Sequence, residues 1–255
     1  MTSTTAFVSD QQESPRFSSN SSPNNLLPLS TLTHTYYALR HGQSLANVQK
    51  IISSDPKIST TQHGLSEIGK QQAAKAGQEL TQSIFDPTKH QGIAIYTSDF
   101  KRARETAQIV ASAVKESENE IPFYKNDTQI NVSLRERYFG LWNGKSDTHY
   151  HDVWTLDAAS ADHTDNQVES VNSVMYRTTE LVLSLEHELS NSYDASKEEE
   201  EKERKPWLCV LVAHGDVLQI VQTGFKKMDG TTHRSLDHLE TATLRHLSLE
   251  NQTIH

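Results

Sequence analysis

The sequence has almost no cysteine and no long apolar run. Cys209 is the one cysteine among 255 residues, so a framework of disulfide bonds is excluded and a reducing compartment is expected. Because this residue lies within an apolar run, we interpret it as a small buried hydrophobe rather than a reactive thiol. No apolar run approaches the roughly 18 residues that a membrane-spanning helix needs, so none is predicted.

The chain also lacks an excess of basic residues. Its formal net charge is −9 with histidine counted as neutral. A general attraction to nucleic acid or to an anionic membrane is therefore not expected. Neither of them is predicted to be a partner of this protein. Any anion must instead be bound by a local basic pocket. The sequence leaves the oligomeric state open.

The N-terminal segment has little apolar sequence. Residues 1–32 are rich in Ser, Thr, Asn, Gln and Pro and are predicted to be a disordered tail, followed by one folded domain over residues 33–255. The tail lacks the apolar core of a secretory signal. A cytoplasmic location is expected. Organellar targeting is the alternative, because the segment is rich in serine, although it carries Asp10 and Glu13 and only Arg16 as a basic residue.

In the remaining chain, strand-like apolar runs alternate with helical patterns. The strand-like runs are 35–39, 92–97, about 129–134, 207–213 and 242–248, and the helical patterns are 66–83, with Ser66 as N-cap, 99–115, 168–189 and 216–225. This alternation predicts an α/β fold with three α/β/α layers and a mostly parallel central sheet. Two segments without periodicity, 145–167 and 191–205, are predicted to be inserted loops.

Polar and charged residues follow the strand-like runs. They are Arg40, His41, Gly42, Ser44 and Asn47 after the first run, Ser98, Asp99 and Arg102 after the second, Glu136 after the third, and His214 and Gly215 after the fourth. Ligands bind at the carboxyl ends of the strands in open α/β sheets, so we expect these residues to converge. Gly42 is expected to allow a tight turn.

This set of side chains has the composition of a phosphate pocket with a nucleophile. Arg40, Arg102 and His214 would neutralise the phosphoryl oxygens. His41 could attack phosphorus through one ring nitrogen while a backbone carbonyl fixes the other. Glu136 is the candidate acid for the leaving oxygen, and it would have to stay protonated near neutral pH. The expected substrate is a small phosphorylated metabolite or a phosphoprotein.

Four motifs, together with the second His-Gly pair, carry a family resemblance. They are Arg40-His41-Gly42-Gln43-Ser44 with Asn47, Leu65-Ser66-Glu67-Ile68-Gly69-Lys70-Gln71-Gln72-Ala73, Ser98-Asp99-Phe100-Lys101-Arg102-Ala103-Arg104-Glu105-Thr106-Ala107, and Leu134-Arg135-Glu136-Arg137-Tyr138-Phe139-Gly140-Leu141-Trp142-Asn143-Gly144. In these motifs the chain resembles the histidine phosphatase superfamily in its phosphoglycerate-mutase-like branch (branch 1), from about Thr35 to Ser248 without the two inserts. The resemblance implies that His41 is the nucleophile, Glu136 the acid, and Arg40, Asn47, Arg102 and His214 the phosphate pocket.

The same pocket serves phosphatases and mutases in this family. Phe139 stands where the mutases carry tyrosine, and Lys145 is the one Lys or Arg in the insert 145–167, which lacks the paired arginines of glycolytic mutases. These features favour a phosphatase. A phosphoglycerate-mutase-type transferase is the alternative. A non-catalytic phosphate-binding module is a third reading, but it would require the loss of a catalytic residue, and none is missing.

Two further interpretations concern the inserts and the fourth helix. Glu169 either touches the pocket or is a carboxylate of the first helical turn. Asp147, His149, His151, Asp152 and His163 offer metal ligands, but their spacing matches no tight zinc pattern. We therefore predict neither a metal nor a cofactor. Gly42, Ser44, Ser98 and Gly215 are expected to play secondary roles.

Overall fold

The computed structural model describes residues 22–192 and 205–250 and contains a five-stranded sheet in the order β3-β2-β4-β1-β5. The strands are β1 (Thr35–Arg40), β2 (Gly92–Thr97), β3 (Gln129–Ile130), β4 (Trp207–Ala213) and β5 (Leu244–Leu247). β4 pairs in parallel with β1 and β2, β2 pairs in parallel with β3, and only β5 is antiparallel. The predicted mostly parallel sheet is confirmed, although the third strand covers two residues rather than six.

Helices cover both faces of the sheet. They are α1 (Leu45–Gln49), α2 (Pro56–Ser59), α3 (Glu67–Glu79), α4 (Lys101–Lys115), α5 (Tyr150–Ala159), α6 (Val171–Ser190) and α7 (Gly215–Phe225). Alternate residues of β4 face opposite layers: Leu208 and Val210 pack in the cluster with α3 and α4, and Cys209 and Leu211 pack in the cluster with α6 and α7. The predicted three-layer α/β/α fold is confirmed.

Side-chain caps define where the long helices begin. The Ser66 hydroxyl accepts a hydrogen bond from the Gly69 N–H at 3.0 Å, as predicted for this N-cap. Ser170 does the same for Ser173 at 3.1 Å before α6. The Ser66 N–H also donates to the Gln43 carbonyl at 2.9 Å, so the start of α3 is tied to the loop after β1.

The first insert contains a helix, so the prediction of a loop over 145–167 is wrong. α5 occupies its centre and presents Val153 and Asp157 to the interior. One of the two buried positions is a carboxylate, which hides the apolar periodicity that would have predicted a helix. For the second insert, 191–205, residues 193–204 lie outside the described part of the chain.

The packed structure begins before residue 33. Leu26 is fully buried beneath α6 and α7, and the Asn24 side chain donates to the Gly224 carbonyl at 2.9 Å. The Lys227 ammonium in turn donates to the Leu29 carbonyl at 2.6 Å. Residues 22–32 are therefore part of the domain, contrary to the prediction of a tail over 1–32, and residues 1–21 lie outside the described chain. Two leucines, Leu26 and Leu29, within a polar composition are enough to anchor the segment.

None of the helices in the described residues is sufficiently long and apolar to span a membrane.

We expect Leu26→Ala to lower the free energy of unfolding by about 2–4 kcal/mol, because it leaves a cavity between the N-terminal segment and the two helices. Leu27→Ala is the matched control, since the neighbouring side chain is half-buried and lies outside the core cluster. Urea denaturation followed by circular dichroism measures both. Equal small losses would mean that residues 22–32 contribute nothing to stability, and a chain beginning at Leu32 would then melt like the full chain.

Candidate active site

A cavity of about 240 Å³ lies at the carboxyl edge of the parallel strands. It is lined by Arg40, His41, Ser44, Ala46, Asn47, Ile51, Ser53, Arg102, Glu136, Asp147, Tyr150, Trp154, Gly215, Asp216, Arg234 and His238. Seven of the residues predicted from the strand ends are in this set: Arg40, His41, Ser44, Asn47, Arg102, Glu136 and Gly215. His214, Ser98 and Glu169 are not among the residues that line it.

His41 is held in one tautomer by its two hydrogen bonds. Its Nδ1 lies 2.8 Å from the Gly42 carbonyl, and its Nε2 accepts from the Arg102 Nε at 3.1 Å. The proton is therefore assigned to Nδ1, which leaves the lone pair on Nε2. Burial, and then the charges of Arg102 and Arg40, hold the pKa of His41 well below its ordinary value. The imidazole is thus neutral and suited to act as a nucleophile.

Three buried N–H donors around His41 have no partner in the described part of the chain. They are the Nε of Arg40, the Nη1 of Arg102 and the Nδ1 of His214. The remaining atoms of both guanidiniums are fixed, because Arg40 Nη1 donates to the Leu239 carbonyl at 2.9 Å and Arg102 Nη2 donates to the Ser53 carbonyl at 2.9 Å. Unpartnered donors of this kind are suited to bind the oxygens of a phosphoryl group.

His214 stands behind His41, with the two ring centroids 5.1 Å apart. Its Nε2 lies 3.0 Å from the Ser98 hydroxyl, which also accepts from the Phe100 N–H at 3.2 Å. We assign the imidazole proton to Nδ1, with the Ser98 hydroxyl donating to His214 Nε2. Burial and the Arg102 charge keep the pKa of His214 well below its ordinary value. Ser98 therefore orients His214 as a neutral donor.

Among the residues that the structure describes, Glu136 is the one buried carboxyl group whose pKa is raised toward neutrality. Burial, and then the charge of Asp216, raise the pKa of Glu136 to about 7, against the opposing effect of Arg102. Its Oε1 accepts a hydrogen bond from the Arg137 N–H at 3.0 Å. A carboxyl group with this pKa is present in both protonation states near neutral pH and can give or take a proton.

Asn47 is placed on the cavity wall by a capping box at the start of α1. The Ser44 hydroxyl accepts from the Asn47 N–H at 3.2 Å, and Asn47 Oδ1 accepts from the Ser44 N–H at 3.0 Å. Ser44 is fully buried and acts through this turn. Since the amide oxygen is used within the loop, the Asn47 amide nitrogen is what remains for a ligand.

The two glycines that follow the strand-end histidines are needed for close approach. A Cβ on Gly42 would lie 2.4 Å from the Gly69 carbonyl oxygen, so this loop packs directly on the first turn of α3. The backbone of Gly42 does not adopt a positive φ. Glycine is therefore required at this position by the close contact with α3 rather than by the predicted tight turn. A Cβ on Gly215 would lie 3.3 Å from the Arg40 Cζ, so Gly215 leaves room for the guanidinium.

Glu169 is a structural anchor beside the site. Its carboxylate accepts from the Arg177 Nε at 2.8 Å and from the Tyr138 N–H at 3.2 Å, and it directly precedes the N-cap of α6. Burial alone would raise the pKa of Glu169, but the Arg177 guanidinium, together with the Tyr138 N–H and the Arg137 charge, holds the pKa below its ordinary value. Its contacts tie the loop after Glu136 to α6.

Several residues of the site were not predicted from the sequence. Arg137 is fully buried and donates to both oxygens of Asp157, at 2.6 and 2.7 Å, and to Asp216 at 3.2 Å. The Trp154 indole N–H donates to Asp216 at 2.9 Å. Arg137 and Asp216 directly follow the predicted Glu136 and Gly215 in the chain, and that adjacency is a usable signal. Arg234 follows no strand and has no such signal.

The metal-ligand types of the insert are dispersed. His149 pairs with Asp152 at 2.8 Å, and His163 pairs with the buried Asp157 at 2.7 Å. Within residues 22–192 and 205–250, no group of three or more His, Cys, Asp or Glu side chains is arranged to hold a metal ion.

Comparison with protein families places these strand-end residues in a known context. The sequence model of the histidine phosphatase superfamily (branch 1) matches residues 36–255. The chain belongs to this family. Comparison with curated protein sequences gives no match.

Solved structures with the same fold include proteins named as phosphatases. Mycobacterial glucosyl-3-phosphoglycerate phosphatase superposes with a TM-score of 0.59 at 22% identity, covering 83% of this chain and 90% of that one. YhfR of Bacillus stearothermophilus gives a TM-score of 0.58 at 24% identity, with coverage of 83% and 89%. A putative alpha-ribazole-5'-P phosphatase of Escherichia coli gives 0.55 at 19% identity, with coverage of 83% and 88%. These likenesses establish the fold.

We expect Asp157→Asn to destabilise the protein by on the order of 3 kcal/mol, because it removes the bidentate partner of the fully buried Arg137. Glu250→Gln is the matched control. It removes one carboxylate from the exposed pair with Lys226 and should cost less than about 1 kcal/mol. Denaturation midpoints in urea compare the two. If both variants lose the same small amount, the buried cluster does not hold α5 in place.

Proposed function

We propose that the protein is a phosphomonoester hydrolase that works through a phosphohistidine intermediate on a small phosphorylated substrate. One juxtaposition carries the proposal. A neutral His41, fixed with its lone pair on Nε2, lies in the same cavity as a carboxyl group whose pKa is raised to about 7. A buried nucleophile and a group able to both give and take a proton are what the two half-reactions require.

In the first half-reaction, the phosphoryl group is held by the unpartnered donors of Arg40, Arg102 and His214. His41 Nε2 forms a bond to phosphorus in line with the leaving oxygen, and the phosphorus–oxygen bond to that oxygen breaks. Glu136 gives its proton to the leaving oxygen. The Gly42 carbonyl accepts from Nδ1–H and stabilises the positive charge that develops on the ring.

In the second half-reaction, a water molecule attacks the phosphohistidine. Glu136, now a carboxylate, accepts a proton from this water, the nitrogen–phosphorus bond breaks, and inorganic phosphate leaves. The same carboxyl group is thereby returned to its protonated state. The chemistry uses no metal and no cofactor, since two guanidiniums and an imidazole surround the phosphoryl oxygens.

The inserted segment supports hydrolysis over transfer. Its one lysine, Lys145, is exposed and outside the cavity, whereas its Asp147 lines the cavity. Phe139 is fully buried against Tyr150, with ring centroids 4.8 Å apart, and supplies no hydroxyl to a substrate. Fold relatives that carry the name phosphatase agree with this reading.

A mutase-type transferase is the second candidate, and one observation favours it. Arg234 and His238 line the cavity from outside the insert, so the site has basic groups that the insert alone does not supply. The choice between the two reactions therefore depends on measured products.

For the acid role of Glu136, we expect the kcat/KM of an alkyl phosphate to fall as the pH rises through about 7, because the proton donor is lost. Below this pH no loss from histidine protonation is expected until well under 6.5, since burial lowers the pKa of His41. Glu136→Gln should remove the alkaline limb and slow the alkyl phosphate by about 10²–10⁴-fold. With p-nitrophenyl phosphate, whose leaving group needs no proton, the loss should be much smaller. Equal losses would remove Glu136 from this role.

For the reaction class, we expect release of inorganic phosphate from phosphomonoesters to exceed isomerisation of phosphoglycerate. The reaction starts from 3-phosphoglycerate with a trace of bisphosphoglycerate, and inorganic phosphate and 2-phosphoglycerate are measured together. Fast isomerisation with negligible phosphate release would establish the mutase instead. His41→Ala should abolish either activity while retaining a cooperative melt.

A further inference from the structure

The outer part of the cavity has an arginine that the proposed chemistry does not use. Arg234 lies in the segment between α7 and β5, with its Cζ 3.8 Å from the centroid of the Trp154 ring. The side chain is 27% exposed and lines the cavity together with Arg40 and Arg102. Within the described chain its guanidinium is placed by stacking rather than by a close ion pair.

The nearest carboxylate, that of Asp216, does not form a hydrogen bond with the Arg234 guanidinium. Arg234 Nη1 is 3.9 Å from Asp216 Oδ1, which is beyond hydrogen-bond length. Asp216 already accepts from Arg137 Nη1 at 3.2 Å and from the Trp154 indole at 2.9 Å. The charge of Asp216 is therefore directed mainly to other donors, and Arg234 keeps its planar donor fork for a ligand.

The surface under Arg234 is rigid. Trp154 is fixed by its indole hydrogen bond, and Tyr150 stacks on it with ring centroids 5.5 Å apart and an interplanar angle of 10°. An arginine held flat on an indole loses less rotamer freedom when it binds an anion than a free surface arginine does. This stacking prepares the Arg234 guanidinium to bind an anion.

The two anion sites belong to one small cavity. His238 and Leu239, a few residues after Arg234, both accept from Arg40 Nη1, at 2.7 and 2.9 Å, so one segment supports the phosphate arginine and carries the outer arginine. The cavity volume of about 240 Å³ is below the usual range of roughly 300–1,000 Å³ for ligand pockets. This volume favours a small ligand.

We propose that Arg234 is a specificity-determining residue that binds a second anionic group, carboxylate or phosphate, on a small phosphomonoester whose reacting phosphate lies between Arg40 and Arg102. This inference rests on the proposed function, because it takes the inner donors as the site of the reacting phosphate. Neutral phosphomonoesters of the same size would bind through the inner site alone.

The test compares substrates that differ in the second group only. 3-Phosphoglycerate and glycerol 3-phosphate differ at a carboxylate, and fructose 1,6-bisphosphate and fructose 6-phosphate differ at a second phosphate. Arg234→Gln should lower kcat/KM about 10- to 100-fold for the member of one pair that carries the extra anion, as expected for the loss of a charged hydrogen-bond donor. Its partner should change less than about 3-fold. The pair that responds identifies the anion.

Two further variants separate local binding from general effects. Arg234→Lys keeps the charge without the fork and should fall between wild type and Arg234→Gln. Lys145→Gln removes one positive charge from the nearby insert outside the cavity and should leave the discrimination within each pair unchanged. If Arg234→Gln weakens both members of each pair equally, or neither, the inference is overturned.

Failure of the proposed function is a distinct result. In that case wild-type protein hydrolyses neither p-nitrophenyl phosphate nor glycerol 3-phosphate. Calorimetric titration of 3-phosphoglycerate and of fructose 1,6-bisphosphate into the His41→Ala variant, with and without Arg234→Gln, then decides the inference without turnover. Loss of binding to one of them on Arg234→Gln supports the outer anion site, and unchanged dissociation constants for both refute it.

Discussion

The site depends on two guanidiniums, the half-buried Arg40 and the buried Arg102, that have no carboxylate at ion-pair distance among the described residues. Other arginines near the sheet edge are paired: Arg135 with Asp99, Arg137 with Asp157, and Arg177 with Glu169. Arg40 and Arg102 instead contact carbonyl oxygens and imidazole nitrogens. Buried positive charge without a counter-ion is costly, and a bound oxyanion would offset that cost. Burial, together with these arginine charges, lowers the pKa of His41 and His214 and keeps both imidazoles neutral.

The central sheet holds the site residues in place although the Arg40 and Arg102 guanidiniums repel each other. The parallel pairing of β1 with β4 continues past the strand ends, where the His41 N–H donates to the Ala213 carbonyl at 3.0 Å. The Ser98 N–H likewise donates to the Val212 carbonyl at 3.0 Å. The backbone ladder therefore ends inside the site, and the nucleophile and the support of His214 are fixed by the central strands. The buried Arg137 cluster adds α5 to this frame.

Strand ends carried most of the information that the sequence held about the site. A residue that directly follows a buried apolar strand is placed by the sheet, so Arg40 and His41 could be located from the pattern alone. Glu136 also lines the cavity, although β3 ends six residues before it. Residues held by tertiary contacts could not be located in this way. α5 was missed because Asp157, a buried ion partner, interrupts its apolar face. The anchoring of Leu26 depends on a groove between two distant helices, which no local pattern shows.

The most direct test of the proposed mechanism is to trap the covalent intermediate. A reaction with a labelled phosphomonoester is quenched in alkali within milliseconds, and the modified peptide is identified by mass spectrometry. The mechanism predicts that phosphate is found on His41 during turnover and that this phosphate is stable in base and lost in acid. It should be absent from the His41→Ala variant. Turnover with no phosphorylated peptide, or with the phosphate on another residue, would contradict it.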